Sequence, residues 1–123
     1  MTWKLTQNKP IYQQLAEHVE LDIIMKKYDL SEKLPSVRDL ALEAGVNPNT
    51  MQRALTLLED KGLVYSERTA GRFITSDSKI ISDLHIELAN NYTELYFNEM
   101  KSLGFSTEEI LTFINKLKEE ENE

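Results

Sequence analysis

The feature that most constrains this sequence is a pair of helix start signals with one helix stop signal between them. Ser36 and Asn47 are residue types that cap helix N-termini, and Asn47 is followed by Pro48, which suits the first helical turn. Gly45 stands where the first of these helices would end. The pattern predicts two short helices joined by a tight turn, which is a helix-turn-helix.

The flanking segments extend this prediction to a winged helix. Upstream, Pro10 is suited to begin a helix, and apolar residues recur at helical spacing as far as about Lys27. Downstream of Gly62, β-prone segments at 63–68 and 72–75 flank a compact turn at 69–71. We therefore expect a mainly α fold with a small β-hairpin, a winged helix-turn-helix, over residues 1–75.

Residues 76–123 predict two further helices. The first would run to about Leu103 and end at Gly104, and the second would begin with a capping box at Ser106 to Glu109. The acidic residues after Lys118 are expected to fray. The apolar stripes of these helices could pack against the winged helix of the same chain or against a second copy.

We favour the second copy, because a segment this short has too small a core to stand alone. A dimer would also read two DNA half-sites, which multiplies affinity. The fold expected is thus a winged helix-turn-helix followed by a two-helix dimerisation tail over 76–123. The predicted dimer contacts are Ile81, Leu84, Leu88, Tyr92, Leu95, Ile110 and Ile114.

A net charge of −7 would repel a nucleic-acid partner if it were evenly distributed, but it is not. Residues 1–75 hold ten Lys and Arg against ten Asp and Glu, whereas residues 76–123 hold four Lys against eleven Asp and Glu. The acidic excess therefore lies entirely in the tail. A neutral winged helix can bind DNA if its positive side chains share one face.

Several classes of protein are disfavoured by the composition. There are no cysteines and only two histidines, His18 and His85, so we expect no metal and no other cofactor. No Gly-rich phosphate loop or Ser/His/Asp set is present, which argues against an enzyme. The chain start lacks the apolar segment of a signal peptide, and no run is long enough to cross a membrane. The expected location is the cytoplasm.

Two stretches, Leu34 to Ala41 and Gly45 to Leu55, closely resemble the GntR family of transcriptional regulators, with similarity extending over about residues 9–75. The family usually has glycine near Lys27 and near Ser31, and this chain has neither. We therefore expect its turn before the Leu34-Pro35-Ser36 element to differ from the family's. Its wing usually carries two glycines, and Arg68 to Gly71 keeps only the second, so the depth of entry into the minor groove is left open. The short tail resembles that of the YtrA-type subgroup, whose tails serve mainly for dimerisation.

The candidate DNA-binding residues lie on three elements. Asn47 is one candidate contact, and it would also cap a helix that presents Asn49, Thr50, Gln52 and Arg53 to base edges in the major groove. Each of these side chains could also be ordinary solvated surface. The family resemblance implies that Arg38 contacts DNA; it could instead pair with Asp39 or Glu43. Ser36 could contact a phosphate as well as cap its helix. The predicted contacts of the wing with the minor groove or its phosphates are Arg68, Thr69, Gly71 and Arg72.

These residues predict a sequence-specific transcriptional regulator, a homodimeric repressor that binds a palindromic operator in double-stranded DNA. The alternative is a winged helix that serves as a protein-interaction module without specific DNA binding. A small-molecule effector has little support in the sequence. Its binding site could be formed by tail aromatics, which could equally be core residues: Tyr92, Tyr96, Phe97, Phe105 and Phe113.

Overall fold

The structure is a computed structural model that describes residues 3–122. Within these residues the order of elements is α1 (Ile11–Ile24), α2 (Val37–Ala44), α3 (Pro48–Asp60), β1 (Val64–Glu67), β2 (Gly71–Ile74), α4 (Ser78–Ser102) and α5 (Thr107–Glu121). The predicted winged helix-turn-helix followed by two helices is confirmed. The chain divides into two compact units, Met1–Leu84 and His85–Glu123.

No helix between residues 3 and 122 has both the length and the apolar character required to cross a membrane.

The first unit is built around α3, which packs against both α1 and α2. Its inward side chains, Met51, Leu55 and Leu58, are almost completely buried together with Leu15 of α1 and Leu40 of α2. The hairpin closes the same core through the buried residues Leu63, Val64 and Ile74. Burial of apolar side chains stabilises the folded state by roughly 1.5–3 kcal/mol for each large residue, so this core fixes the orientation of α3.

Local capping begins the two central helices and ends the first of them, as predicted. The Ser36 side chain accepts a hydrogen bond from the Asp39 backbone N–H at 3.1 Å, and Asn47 accepts one from Asn49 at 2.7 Å. Between them, Gly45 adopts a left-handed φ of 76°, which allows the chain to leave α2 and enter the turn without steric cost.

The end of α1 differs from the prediction. The helix begins at Ile11 and ends at Ile24, so Pro10 is the N-cap residue and the segment to Lys27 is not helical. The chain then reverses through two left-handed residues, Lys26 with φ 62° and Ser31 with φ 64°. Left-handed backbone is thus present near both positions at which the family's glycines are missing, and it is adopted by residues with a Cβ.

The wing is tied to the segment that precedes α2. In the hairpin, Val64 pairs with Ile74 and Glu67 with Gly71. Lys33 forms an isolated antiparallel bridge with Phe73, and the Leu34 backbone N–H donates to the Arg72 carbonyl at 2.9 Å. Because these backbone bonds link the start of α2 to β2, the wing and α2 are held in a fixed relation.

The first turns of α4 belong to this unit as well. Ile80, Ile81 and Leu84 are half-buried against the winged-helix core. The boundary between the compact units consequently lies after Leu84, further along the chain than the predicted boundary at 75/76.

The second unit contains the rest of α4 and α5. Gly104, with φ 94°, follows α4, and the predicted capping box is present, since Ser106 and Glu109 each accept a hydrogen bond from the other's backbone N–H. The expected fraying after Lys118 is not observed, because α5 continues to Glu121. Ile110 is buried, while most other large apolar side chains of this unit are exposed.

We expect Ser31→Gly to stabilise the protein. A left-handed L-residue costs about 1–2 kcal/mol, whereas glycine adopts this φ freely and loses only about 0.5–1 kcal/mol through its greater freedom in the unfolded chain. The melting temperature followed by circular dichroism should rise by a few degrees. Ser31→Ala keeps the Cβ and is the control that should bring no gain. A lower melting temperature for Ser31→Gly would contradict the assigned backbone conformation.

Candidate nucleic-acid interface

The exposed face of α3 carries the side chains that the sequence predicted as base readers. Asn49, Gln52 and Arg53 are exposed and Thr50 is half-buried, while Met51 between them points into the core. The helix therefore presents amide and guanidinium groups outward from its first turns. These groups have the donor and acceptor patterns that match adenine and guanine edges.

Two of the predicted contacts act as helix caps. The side-chain oxygen Oδ1 of Asn47 accepts a hydrogen bond from the Asn49 backbone N–H, and the Ser36 hydroxyl oxygen accepts one from the Asp39 backbone N–H. The hydroxyl hydrogen of Ser36 is still available to donate to an anion, since accepting a bond does not use it. Asn47 thus serves first to begin the helix that carries the other candidates.

A cleft of about 490 Å³ lies between the start of α2 and the turn of the wing. It brings together Ser36 and Arg38 with three of the predicted wing residues, Thr69, Gly71 and Arg72. Arg68 is exposed in the same turn. The N-terminus of α2 carries a partial positive charge, so a cleft that combines it with arginine side chains can accept a phosphate group.

Lys33 is a cleft residue that the sequence analysis missed. Its side chain is exposed and its stem passes close to the backbone of the wing turn, so that a Cβ on Gly71 would lie 3.1 Å from Lys33 Cε. The signal was its position directly before the Leu34-Pro35-Ser36 element. The role of Lys33 follows only from the structure, in which the bridge to Phe73 holds this segment beside the wing.

Arg72 has an internal partner in addition to its place in the cleft. Its Nε donates to the Glu59 carboxylate on α3, which also accepts from the Ser66 hydroxyl at 2.7 Å. The Arg72 side chain is only 16% exposed. One Nη lies 3.5 Å from the Gln52 side-chain oxygen. The guanidinium therefore joins the wing to α3, which the sequence analysis did not anticipate.

This pairing changes the protonation behaviour of Glu59. Partial burial would by itself raise the pKa of the carboxyl, but the hydrogen bonds from Ser66 and Arg72 and the charge of Arg72 outweigh it. The pKa is lowered as a result, so the carboxylate stays charged and the link persists at neutral pH.

Arg53 stacks on a residue of α1. Its guanidinium carbon lies 3.8 Å from the centre of the Tyr12 ring, within the range of a cation–π interaction. Tyr12 is half-buried in the first turn of α1. Nothing in the sequence spacing links these two residues, because helix packing alone brings them together.

Comparison with known proteins identifies the family. Residues 11–74, from α1 to β2, match the bacterial regulatory proteins of the gntR family. The chain belongs to the GntR family. Members of this family are transcriptional regulators with a DNA-binding helix-turn-helix, not enzymes, and this chain is therefore a DNA-binding transcriptional regulator.

Two relatives from Bacillus subtilis (strain 168) place the chain more closely within the GntR family. An uncharacterized HTH-type transcriptional regulator, YhcF, is 37% identical over 112 residues, covering 91% of this chain and 93% of YhcF. The HTH-type transcriptional repressor YtrA is 40% identical over 73 residues, covering 57% of this chain and 54% of YtrA. The predicted resemblance to the YtrA-type subgroup is confirmed.

Solved structures of this GntR family agree with the fold. A GntR family transcriptional regulator from Listeria monocytogenes has a TM-score of 0.86 at 36% identity, covering 91% of this chain and 98% of that chain. The DNA-binding domain of AraR in complex with operator ORX1 has a TM-score of 0.54 at 28% identity, covering 61% of this chain and 92% of that chain.

The tail residues predicted for dimerisation of this GntR regulator fall into two groups. Ile81 and Leu84 contact the winged-helix core, Leu88 is half-buried and Ile110 is buried. Tyr92, Leu95 and Ile114 are exposed by 71%, 55% and 44%. Further exposed apolar side chains that the prediction did not include are Ile86, Tyr96, Leu103, Leu111, Phe113 and Leu117.

We expect Glu59→Gln to lower the free energy of unfolding by about 1 kcal/mol at pH 7, because a charged hydrogen bond becomes neutral. A lowered folded-state pKa contributes stability above the ordinary value of 4.5 and loses it as the pH falls through the folded pKa. The difference between wild type and variant should therefore shrink below pH 4.5 in urea unfolding titrations. Glu67→Gln, at an exposed position of β1, is the control. A difference independent of pH would exclude the ionised link.

Proposed function

We propose that this GntR regulator is a repressor that binds a palindromic operator in double-stranded DNA as a homodimer. The observation that carries this proposal is the exposed polar face of α3, with Asn49, Gln52 and Arg53 directed away from the core beside a cleft that contains basic residues. This face has the size and chemistry of an element that enters the major groove.

The proposed division of labour follows the geometry. Asn49, Gln52 and Arg53 read base edges, and Thr50 contacts a thymine methyl group or a phosphate. The cleft between α2 and the wing holds the DNA backbone, with Ser36, Arg38 and Lys33 as phosphate contacts. Arg68 and Thr69 extend toward the minor groove from the wing turn, and Arg72 supports them from within the hairpin through Glu59.

Relatives support operator DNA as the target and repression as the direction of regulation. The AraR DNA-binding domain, with the same fold, has been solved with an operator, and YtrA is described as a repressor. A repressor needs only to occupy its operator, and a DNA-binding winged helix can do this. We therefore assign repression of an operator to this chain, and we expect it to act in the cytoplasm.

The exposed apolar surface of the tail supports a homodimer. Residues 85–121 expose many large apolar side chains, including Tyr92, Leu95 and Leu117, and such surface in a soluble protein commonly marks an interaction site. The acidic excess of the same segment disfavours DNA as its partner. A second copy of the chain satisfies both observations, because it covers apolar surface and places two recognition helices on one operator.

We expect Arg53→Ala to weaken binding to the selected operator by about 1–3 kcal/mol while leaving random DNA nearly unaffected, because a base contact carries specificity. The operator is first obtained by selection from a random duplex pool with the wild-type protein, and affinities are measured by mobility-shift titration at fixed salt. Arg38→Ala is the contrast, since loss of a phosphate contact should weaken both DNAs alike. Equal losses on both DNAs for Arg53→Ala would exclude base reading by this residue.

We expect Leu95→Glu to weaken the dimer about tenfold or more, since a charge would be buried without a partner at the interface. Sedimentation equilibrium should show the mass of the wild-type species at twice 14.3 kDa and that of the variant shifted toward a single chain. The matched control is Leu42→Glu on α2, where the leucine is 73% exposed in the other unit. A wild-type monomer, or equal dissociation in both variants, would contradict a tail-mediated dimer.

A further inference from the structure

The contact between Arg53 and Tyr12 leaves the hydrogen-bonding edge of the guanidinium unused. The guanidinium carbon lies 3.8 Å from the centre of the Tyr12 ring, so the guanidinium contacts the face of the ring. Among residues 3–122, no carboxylate lies within ion-pair distance of Arg53, and the side chain is exposed. A carboxylate partner would occupy the N–H groups, whereas an aromatic face attracts the cation and leaves them available.

Tyr12 is well placed to act as a fixed support. It lies in the first turn of α1 and packs against the winged-helix core, and α1 packs directly on α3. Leu15, one turn further along α1, is completely buried. The phenol oxygen accepts a hydrogen bond from the Gln13 side chain at 3.3 Å. The ring therefore belongs to the rigid part of the unit, although its face reaches the exposed Arg53.

An arginine whose side chain is free to move loses conformational freedom when it binds a base, and this loss weakens binding. Its long side chain samples many rotamers in solution, and binding must fix one of them, which reduces affinity. A guanine offers its O6 and N7 acceptors in one plane, so only a narrow range of guanidinium orientations can bind both. A support that restricts the orientation before binding favours guanine over bases that need another geometry.

We propose that Tyr12 is a positioning residue that determines specificity: its ring holds the guanidinium of Arg53 in the orientation in which Arg53 reads a guanine. Tyr12 itself contacts no base. This inference rests on the proposed DNA-binding function and adds a residue of α1 to the base-reading apparatus of α3.

The test is a double-mutant cycle between Tyr12 and Arg53 on the full-length chain. Tyr12→Phe keeps the ring and removes the hydroxyl, whereas Tyr12→Leu keeps an apolar side chain and removes the aromatic face. Each variant is measured alone and in combination with Arg53→Ala. Three duplexes are used: the operator selected by wild type, the same operator with the guanine that Arg53 is proposed to read replaced by another base, and random DNA. Melting curves verify that the variants fold.

We expect Tyr12→Phe to bind the selected operator within about twofold of wild type, and Tyr12→Leu to bind it about five- to tenfold more weakly. Random DNA and the guanine-replaced operator should respond to neither variant. In the Arg53→Ala background, Tyr12→Leu should have no further effect, because the supported group is gone.

Three outcomes would overturn the proposal. Equal loss for Tyr12→Phe and Tyr12→Leu on all DNAs would indicate a phosphate contact by the hydroxyl. Additive losses in the double variant would show that Tyr12 acts independently of Arg53. If wild type selected no sequence, the proposed function itself would fail, and this positioning role with it.

A variant-free measurement covers the case in which Tyr12→Leu does not fold. Stacking on the ring should shift the Arg53 Hδ and Hε resonances upfield and give nuclear Overhauser contacts to the Tyr12 ring protons, in the free protein and in the operator complex. Loss of these contacts on binding the operator would overturn the proposal even if the free protein shows them.

Discussion

The burial of one side of α3 is the constraint on which the functional surface depends. Met51, Leu55 and Leu58 are enclosed by α1 and α2, so the helix cannot rotate without exposing them. Because side chains on a helix have fixed angular positions, burying these three directs Asn49, Gln52 and Arg53 outward. The chemistry of the candidate interface is thus set by apolar residues that never contact a ligand.

Connections beyond α3 give the exposed surface its rigidity. Glu59 receives Arg72 and Ser66 from the hairpin, and the bridge between Lys33 and Phe73 attaches the entry of α2 to β2. Tyr12 joins α1 to Arg53. The hairpin, the entry of α2 and the start of α1 are distant in sequence, yet all three are fixed in relation to α3, which carries the candidate base-reading side chains. A protein that recognises a rigid duplex benefits from such preorganisation, because less freedom is lost on binding.

Features decided by local chemistry could be predicted from the sequence, and those decided by packing could not. The caps at Ser36, Asn47 and Ser106 need only a few neighbouring residues, and all three are observed. The pairs Tyr12–Arg53 and Glu59–Arg72 join common residue types across helix and hairpin contacts, so spacing gives no sign of them. Similarly, the stripe of α4 shows which residues are apolar, but not that Ile81 and Leu84 contact the winged helix while Tyr92 stays exposed.

The geometry of Gly71 explains which substitutions the wing can accept. Its φ of 105° is unfavourable for any residue with a Cβ, and such an atom would also crowd the Lys33 stem at 3.1 Å. Thr69 and Ala70 do not have positive φ, although the first glycine of the family's wing is missing from this turn. The two wing glycines therefore differ in what the turn requires of them. The position of the first accepts a residue with a Cβ at an ordinary φ, whereas a side chain in place of the second would strain the backbone and push the exposed Lys33 side chain aside by a few tenths of an ångström.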